Sequence, residues 1–248
     1  MKLNSILATL GLAAIACAAP AADQHAHWGY EGHGGPDHWS ELEDGFSGCK
    51  LGQQQSPIDI RGAKTAKLAP IGFEYAAGPA TVVNNGHTVQ VNLSAGGSIT
   101  LPDGQYKLLQ FHFHTPSEEK INGVAFPLVA HFVHKSAEGK LAVVAVLFEK
   151  GAENAALKPV FEQLPAKADD SATLTGGLDP AAILPAQRGY YAYMGSLTTP
   201  PCSEGVHWQV LKQSVSLSAA QLASFQKLYP MNARPVQGLN GRKLEASE

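Results

Sequence analysis

The sequence predicts a mainly β fold in a single domain with a few short helices. Strand-length segments, some alternating and some continuously apolar, recur over nearly the whole length. Turn signals such as Asn85-Gly86 and Pro102-Asp103-Gly104 separate them. Helical signals are confined to two short stretches, and no internal repeat or linker divides the chain. With 248 residues, 44% hydrophobic and 16% charged, the chain can bury a substantial core. A net charge of −3 and the lack of a basic run argue against nucleic acid or an anionic membrane surface as a partner.

Taken in order, the chain opens with the features of an export leader. Lys2 precedes an apolar run over residues 6–16, and the small residues Ala18 to Ala22 offer cleavage sites after Ala19, Ala21 or Ala22. The run is short for a transmembrane helix, and no other stretch is long enough to span a bilayer. We therefore expect a signal peptide at 1–22 and an exported domain at 23–248. The alternative is a lipoprotein anchored through Cys17, with Ala14 where a larger aliphatic residue is usual. Loss of the leader leaves Cys49 and Cys202, an even pair in an oxidising compartment, so a disulfide is expected.

Residues 23–50 are rich in His, Gly and Trp without periodicity and read as an extended segment lying on the domain. His25, His27, His33 and His38 read as dispersed surface histidines. Residues 88–93 alternate cleanly, a half-buried strand; 98–101 and 106–114 follow as strands across the turn at Pro102. Residues 141–148 form an apolar run of strand length, expected to be buried on both faces. One short helix is expected through Leu164 with Asn154 as its cap, its start limited or kinked by Pro159. A second runs from Ser218 to Leu228, with Ser218 and Gln221 as a capping box and Pro230 beyond its end.

The chemistry concentrates on Gln110-Phe111-His112-Phe113-His114 and on residues 128–134. Side chains alternate along a strand, so His112 and His114 share one face while Phe111 and Phe113 point into a core. A neighbouring strand over 128–134 would bring His131 level with the pair. Three imidazoles around one point leave a fourth position open, the pattern of catalytic rather than structural zinc. The plainer reading, buried core histidines, fits one isolated His better than a His-x-His with a third nearby. Other motifs are weak singly. Leu197-Thr198-Thr199-Pro200-Pro201-Cys202 is a rigid polar loop. Glu118 would ordinarily be a solvated loop carboxylate, and His87 after Asn85-Gly86 a surface histidine.

Together these residues resemble the α-class carbonic anhydrases. The resemblance runs through His27-Trp28-Gly29-Tyr30, Gln55-Ser56-Pro57-Ile58, Asn85-Gly86-His87, the segment 110–114, Ser117-Glu118, His131, 197–201 and Asn232-Ala233-Arg234-Pro235, in matching order and spacing. It implies the α-carbonic anhydrase fold, a large twisted, mostly antiparallel sheet with a few peripheral helices. It also implies reversible hydration of CO2 to bicarbonate and a proton by attack of zinc-bound hydroxide. His112, His114 and His131 match the Zn2+ ligands, and Thr198 with Glu118 the pair that aims the nucleophile. His87 matches the proton shuttle. Val133, Val143, Leu197, Thr198, Thr199 and Trp208 match the substrate pocket. Tyr30, Asn85 and Gln90, with Thr199, match the polar side that carries ordered water, and Gln110 matches a partner of His112. The resemblance further implies inhibition by sulfonamides and anions, a bacterial periplasmic location and, as in many bacterial members, a homodimer.

Two positions depart from the family pattern. Glu119 stands where Asn or His is usual, and Val129 where a Glu usually lies two residues before the third ligand. Val129 and His131 share a face, so no carboxylate reaches His131 from its own strand, and weakened zinc affinity is expected. Two other readings compete. A weak or silent binding module of the same fold would be marked by missing ligands, whereas all three are present. A cupin-type metalloenzyme would use His112-x-His114-x3-Glu118, but its glycine is misplaced, with Gly104 too far upstream, and its second motif is absent. Metal content and sulfonamide-sensitive CO2 hydration separate the three.

Overall fold

The computed structural model describes residues 27–248; the expected leader, Cys17 and His25 lie outside the described residues. Sixteen strands are present among the described residues. The first half carries β1 (Asp59–Ile60), β2 (Lys64–Ala66), β3 (Gly72–Tyr75), β4 (Ala80–Asn84), β5 (Val89–Leu93), β6 (Gly97–Leu101) and β7 (Gly104–His114). Next come β8 (Lys120–Ile121), β9 (Val124–Ala125), β10 (Leu128–Ser136), β11 (Leu141–Lys150) and β12 (Ser171–Thr173). The last are β13 (Tyr190–Ser196), β14 (Glu204–Leu211), β15 (Val215–Leu217) and β16 (Glu245–Ser247). Four short helices flank them: α1 (Trp39–Leu42), α2 (Gly48–Leu51), α3 (Lys158–Glu162) and α4 (Ala219–Gln226).

Thirteen strands form one mixed sheet whose central order is β12-β4-β5-β7-β10-β11-β14-β13-β16-β2. Most neighbours are antiparallel; β11 with β14, β11 with β15 and β16 with β2 run parallel. At the centre of the sheet, β7, β10 and β11 are covered on both faces. Alternate side chains of these strands enter two different apolar clusters. Phe111, Phe113, Ala130, Phe132, Val144 and Val146 enter one. Val129, Val133, Val143, Ala145, Leu147 and Trp208 enter the other, on the face that carries His112, His114 and His131. Phe111 and Phe132 stack across the β7–β10 pair with centroids 4.8 Å apart. Each is fully buried, a contribution of about 2–3 kcal/mol per ring before chain entropy is counted.

The expected strands are present, and residues 142–148 are buried throughout. The helices follow their local signals unequally. At α4, Ser218 accepts from the Gln221 N–H and completes the capping box. Asn154 caps as expected, its Oδ1 accepting from Leu157 N at 3.0 Å, but it closes a turn and the helix itself is shorter, α3. Pro159 then falls in the first turn of α3, where its missing N–H breaks no helical bond. The segment expected to be extended over 23–50 contains α1 and α2, and its Trp39 is fully buried. No helix of the described residues is long and apolar enough to cross a membrane.

Cys49 on α2 and Cys202 beyond the Thr198 loop form a disulfide across 153 residues. In the chain-entropy account a loop of that length stabilises by about 5 kcal/mol, chiefly by restricting the unfolded chain. We predict that urea unfolding with and without thiol reductant differs by about 3–5 kcal/mol. Coincident curves, with both thiols then alkylated under native conditions, would exclude the bond.

Candidate metal centre

Register builds the site. In the β7–β10 pair His131 lies directly opposite His112, and Val129 opposite His114. Because residues of a strand alternate faces, this pairing places all three imidazoles on one side of the sheet. One nitrogen from each lies within 4.8 Å of the others, and these three residues are the cluster with metal-ligand geometry among the described residues.

The outer nitrogens settle which atoms face inward. His112 Nδ1 lies 2.9 Å from Gln110 Oε1, so Nε2 is left to the cluster. His114 Nδ1 lies 2.7 Å from the Asn232 carbonyl, and its Nε2 is buried without a partner. His131 Nε2 meets the Glu119 carboxylate, 2.9 Å from Oε1 and 3.2 Å from Oε2, which turns Nδ1 inward. An imidazole tied at one nitrogen and bare at the other is the usual state of a metal ligand. An unpartnered buried ring nitrogen is costly unless something binds it. Burial, with His131 adding to it, pushes His112 down to about 3, and burial holds His114 well below its ordinary value; both rings are therefore neutral, as ligation requires. For His131 burial acts downward too, but the Glu119 and Glu118 carboxylates outweigh it and raise the pKa. The residues fit zinc: three imidazole nitrogens converge, two of them on rings that burial keeps neutral, and a carboxamide, a carbonyl and a carboxylate hold the rings from behind.

Glu118 is 1% exposed, so the solvated-loop reading of this residue does not hold. Burial drives its pKa up to about 7, helped by Glu119 and opposed by His131, Thr198 and the Arg234 N–H. A dication among the histidines would pull it down again. The Thr198 side chain lies close enough to Glu118 to favour its charged form, Arg234 N donates to Glu118 Oε1 at 2.8 Å, and Glu118 Oε2 is buried without a partner. Leu197 N bonds Ser203 O, and Cys202 N bonds Thr199 O, which folds the Thr198-Thr199 loop over the end of β13. Val133, Val143 and Trp208 lie buried on the histidine face, Trp208 edge-on to His131 at 4.9 Å between centroids, with Leu197 packed against the same cluster.

The polar residues separate into two groups. Gln90 sits opposite His112 on β5 and donates to Asn92 Oδ1 at 2.7 Å. Tyr30 is pushed above its ordinary pKa by burial and by Glu118, and its hydroxyl is buried without a partner. Asn85 Oδ1 accepts from the backbone of His87 and Thr88, so this side chain builds the turn that presents His87. His87 stacks flat on Trp28, centroids 3.6 Å apart, with its ring tilted against His27 at 5.7 Å. Burial and then His27 lower its pKa. Tyr30, Trp28, His87 and Tyr229 line one cavity of about 490 Å³.

Three contributors had no assigned role in the sequence reading. Asn232 and Arg234 work through backbone atoms: the Asn232 carbonyl receives His114, and the Arg234 amide supports Glu118. No side-chain pattern announces such a bond. Glu119 did carry a signal, as an unusual acid beside another acid. As expected, no carboxylate comes to His131 from Val129; one arrives instead from the loop after β7.

Comparison with known proteins agrees with this geometry. Residues 34–248 match the sequence profile of the family described as eukaryotic-type carbonic anhydrase. A carbonic anhydrase of Pectobacterium carotovorum is 45% identical over 227 residues, covering 91% of this chain and 93% of the relative. The α-carbonic anhydrase of Thermovibrio ammonificans, solved in complex with the inhibitor sulfanilamide, superposes with a TM-score of 0.87 at 45% identity, covering 90% of this chain and 99% of that one. The α-carbonic anhydrase of Photobacterium profundum superposes with a TM-score of 0.84 at 43% identity, covering 90% of this chain and 100% of that one.

Removing one convergent nitrogen should cost far more than removing an outer partner, which is typically worth 10–100-fold in metal affinity. We predict that His114→Ala, dialysed against a chelator that leaves the parent loaded, retains no zinc by elemental analysis. Stoichiometric zinc in that variant would place the metal elsewhere.

Proposed function

This chain belongs to the α-class, or eukaryotic-type, carbonic anhydrase family, and from that premise we propose how its residues divide the work of hydrating carbon dioxide reversibly. The observation that carries the reading is the convergence of three imidazole nitrogens, each ring backed by a partner on its other nitrogen. Zinc held there supplies Lewis acidity, lowering the pKa of water to about 7 as carbonic anhydrases are known to do, so that a nucleophile is available at neutral pH.

The surrounding residues position and protect. Thr198 has one hydroxyl proton. Given to ionised Glu118, it leaves Thr198 Oγ1 only lone pairs to offer the cleft. A nucleophile meeting Thr198 must therefore donate a proton to it, which orients that nucleophile and disfavours anions that carry none. Val133, Val143, Leu197 and Trp208 form an apolar wall suited to CO2, a substrate with no charge to grip. Thr199, Tyr30, Asn85 and Gln90 form the polar side. An unpartnered buried Tyr30 hydroxyl is the kind of group that holds ordered water. We assign the chain to an exported, periplasmic setting, in keeping with the Cys49–Cys202 disulfide and the leader-like N-terminus. Sulfonamide-sensitive CO2 hydration that disappears with the metal tests the reading directly; a fully metal-loaded protein without hydration activity would refute it.

Each turnover must also shed one proton. Release from a group of pKa about 7 straight to solvent is limited to roughly 10²–10³ s⁻¹, the product of a recombination limit of about 10⁹–10¹⁰ M⁻¹s⁻¹ and a dissociation constant of about 10⁻⁷ M. Carbonic anhydrases can reach about 10⁶ s⁻¹, so a relay is required at such rates. His87 is that relay: a titratable ring stacked on Trp28, in a cavity shared with Tyr30. His87→Ala should lower kcat at least tenfold in dilute buffer while leaving kcat/KM for CO2 nearly unchanged, and added imidazole should restore much of the loss. An unaltered kcat in dilute buffer would assign the relay to another group.

A further inference from the structure

Glu119 is fully buried, and no lysine or arginine among the described residues pairs with it. A carboxylate in that position is costly unless its charge is answered. The group that answers it is His131, whose Nε2 lies 2.9 Å from Glu119 Oε1. His131 also belongs to the three-histidine cluster, and its other nitrogen, Nδ1, lies 3.7 Å from Glu118 Oε2. Along β10, the nearest preceding side chain on the same face is Val129, which is buried in the apolar cluster with Ile58, Leu147 and Trp208 and offers His131 nothing polar.

We propose that Glu119 is the positioning residue for the third zinc ligand: from the loop after β7 it fixes the proton of His131 on Nε2, turns Nδ1 toward the metal and strengthens it as a donor, in exchange for an apolar Val129. The inference rests on the zinc-enzyme reading above. A carboxylate can do this where an amide cannot. Ionised, it only accepts, so Nε2 must carry the proton and Nδ1 must be bare. A glutamine offers either its oxygen or its N–H, and the second choice leaves the proton on Nδ1, facing the metal.

The loop is built to hold this acid still. Ser117 Oγ donates to the Glu119 carbonyl at 2.6 Å and accepts from Phe126 N at 2.9 Å, while Ser117 N donates to Phe126 O at 2.8 Å. The adjacent Glu118 is held by the Arg234 amide at 2.8 Å, close to the Thr198 side chain. One loop thus places both buried acids of the site, one acting on a ligand and one on the hydroxyl that meets the nucleophile.

The test is the rate at which zinc leaves the folded protein, followed with an excess of chromogenic chelator, together with the thermal midpoint of each metal-free form. Glu119→Gln should release zinc 10–100-fold faster than the parent, at an unchanged metal-free midpoint. Adding Val129→Glu to that variant, which returns a carboxylate to the face of His131 from β10, should recover most of the loss. Should Glu119→Gln fail to fold, Glu119→Asp, which withdraws the carboxylate by one methylene, should show faster release in its place. Release at the parent rate in the folded single variants, or a loss that Val129→Glu does not recover, would overturn the proposal and leave the zinc-enzyme reading intact. A parent that holds no zinc would overturn both.

Discussion

The structure depends on one pairing, His131 opposite His112 across β7 and β10. Strand side chains alternate with a period of two, so a slip of one residue would send His131 to the far face and bring Phe132 into its place. The apolar side chains enforce the register. Phe111 and Phe132 stack in one cluster while Val129, Val133 and Val143 fill the other, so neither face tolerates the exchange. The metal-binding face is thus paid for by the packing of the opposite one. The register shifts only past Val133, where the pairing breaks before His134. That residue turns to the other face, between the Tyr75 hydroxyl and the Ala142 carbonyl, outside the metal cluster.

The strands place the ligands, and distant segments hold them. Arg234 joins several of these segments at once. Its guanidinium donates to Gln55 Oε1 and to the Ser56 and Cys49 carbonyls, and its amide supports Glu118. Cys49 is bonded to Cys202, which ends the loop that carries Thr198. Both members of the Thr198–Glu118 pair are therefore tied to the same N-terminal segment. Asn232 does the same for His114 and His87: its carbonyl receives the ring of His114, and its amide donates to the His87 and Phe113 carbonyls. The fully buried Trp39 lies beneath the Arg234 guanidinium, 5.6 Å from its centre, which explains why a segment without periodicity is nonetheless folded against the domain.

Electrostatically, the centre is prepared for a cation. Two carboxylates, Glu118 and Glu119, are buried beside three imidazoles, two of which burial keeps neutral. Burial raises the Glu118 pKa, and the neighbouring Glu119 adds to it. A divalent ion at the convergent nitrogens answers both charges together, so the chain's most costly buried groups become favourable only with the metal bound.

By itself the sequence determined what depends on local periodicity and residue chemistry. That includes the β character, the strand over 106–114, the shared face of His112 and His114, the capping box at Ser218 and the disulfide partners, since alternation, capping and thiol pairing are written in short patterns. His131 was legible as a third imidazole on a neighbouring strand, whereas the role of the Thr-Thr-Pro-Pro loop was legible only through its resemblance to a known family. Tertiary structure alone decided which nitrogen of each ring faces the centre, because that depends on partners 2 to 118 residues away. It decided how short the helix capped near Asn154 is, since only residues 158–162 are helical beyond the capped turn. It also decided that the acid serving His131 comes from a loop. A sequence pattern searches for that acid on the ligand's own strand, whereas the physical requirement is only a carboxylate oxygen within hydrogen-bond distance of Nε2, and any segment that can reach that point will satisfy it.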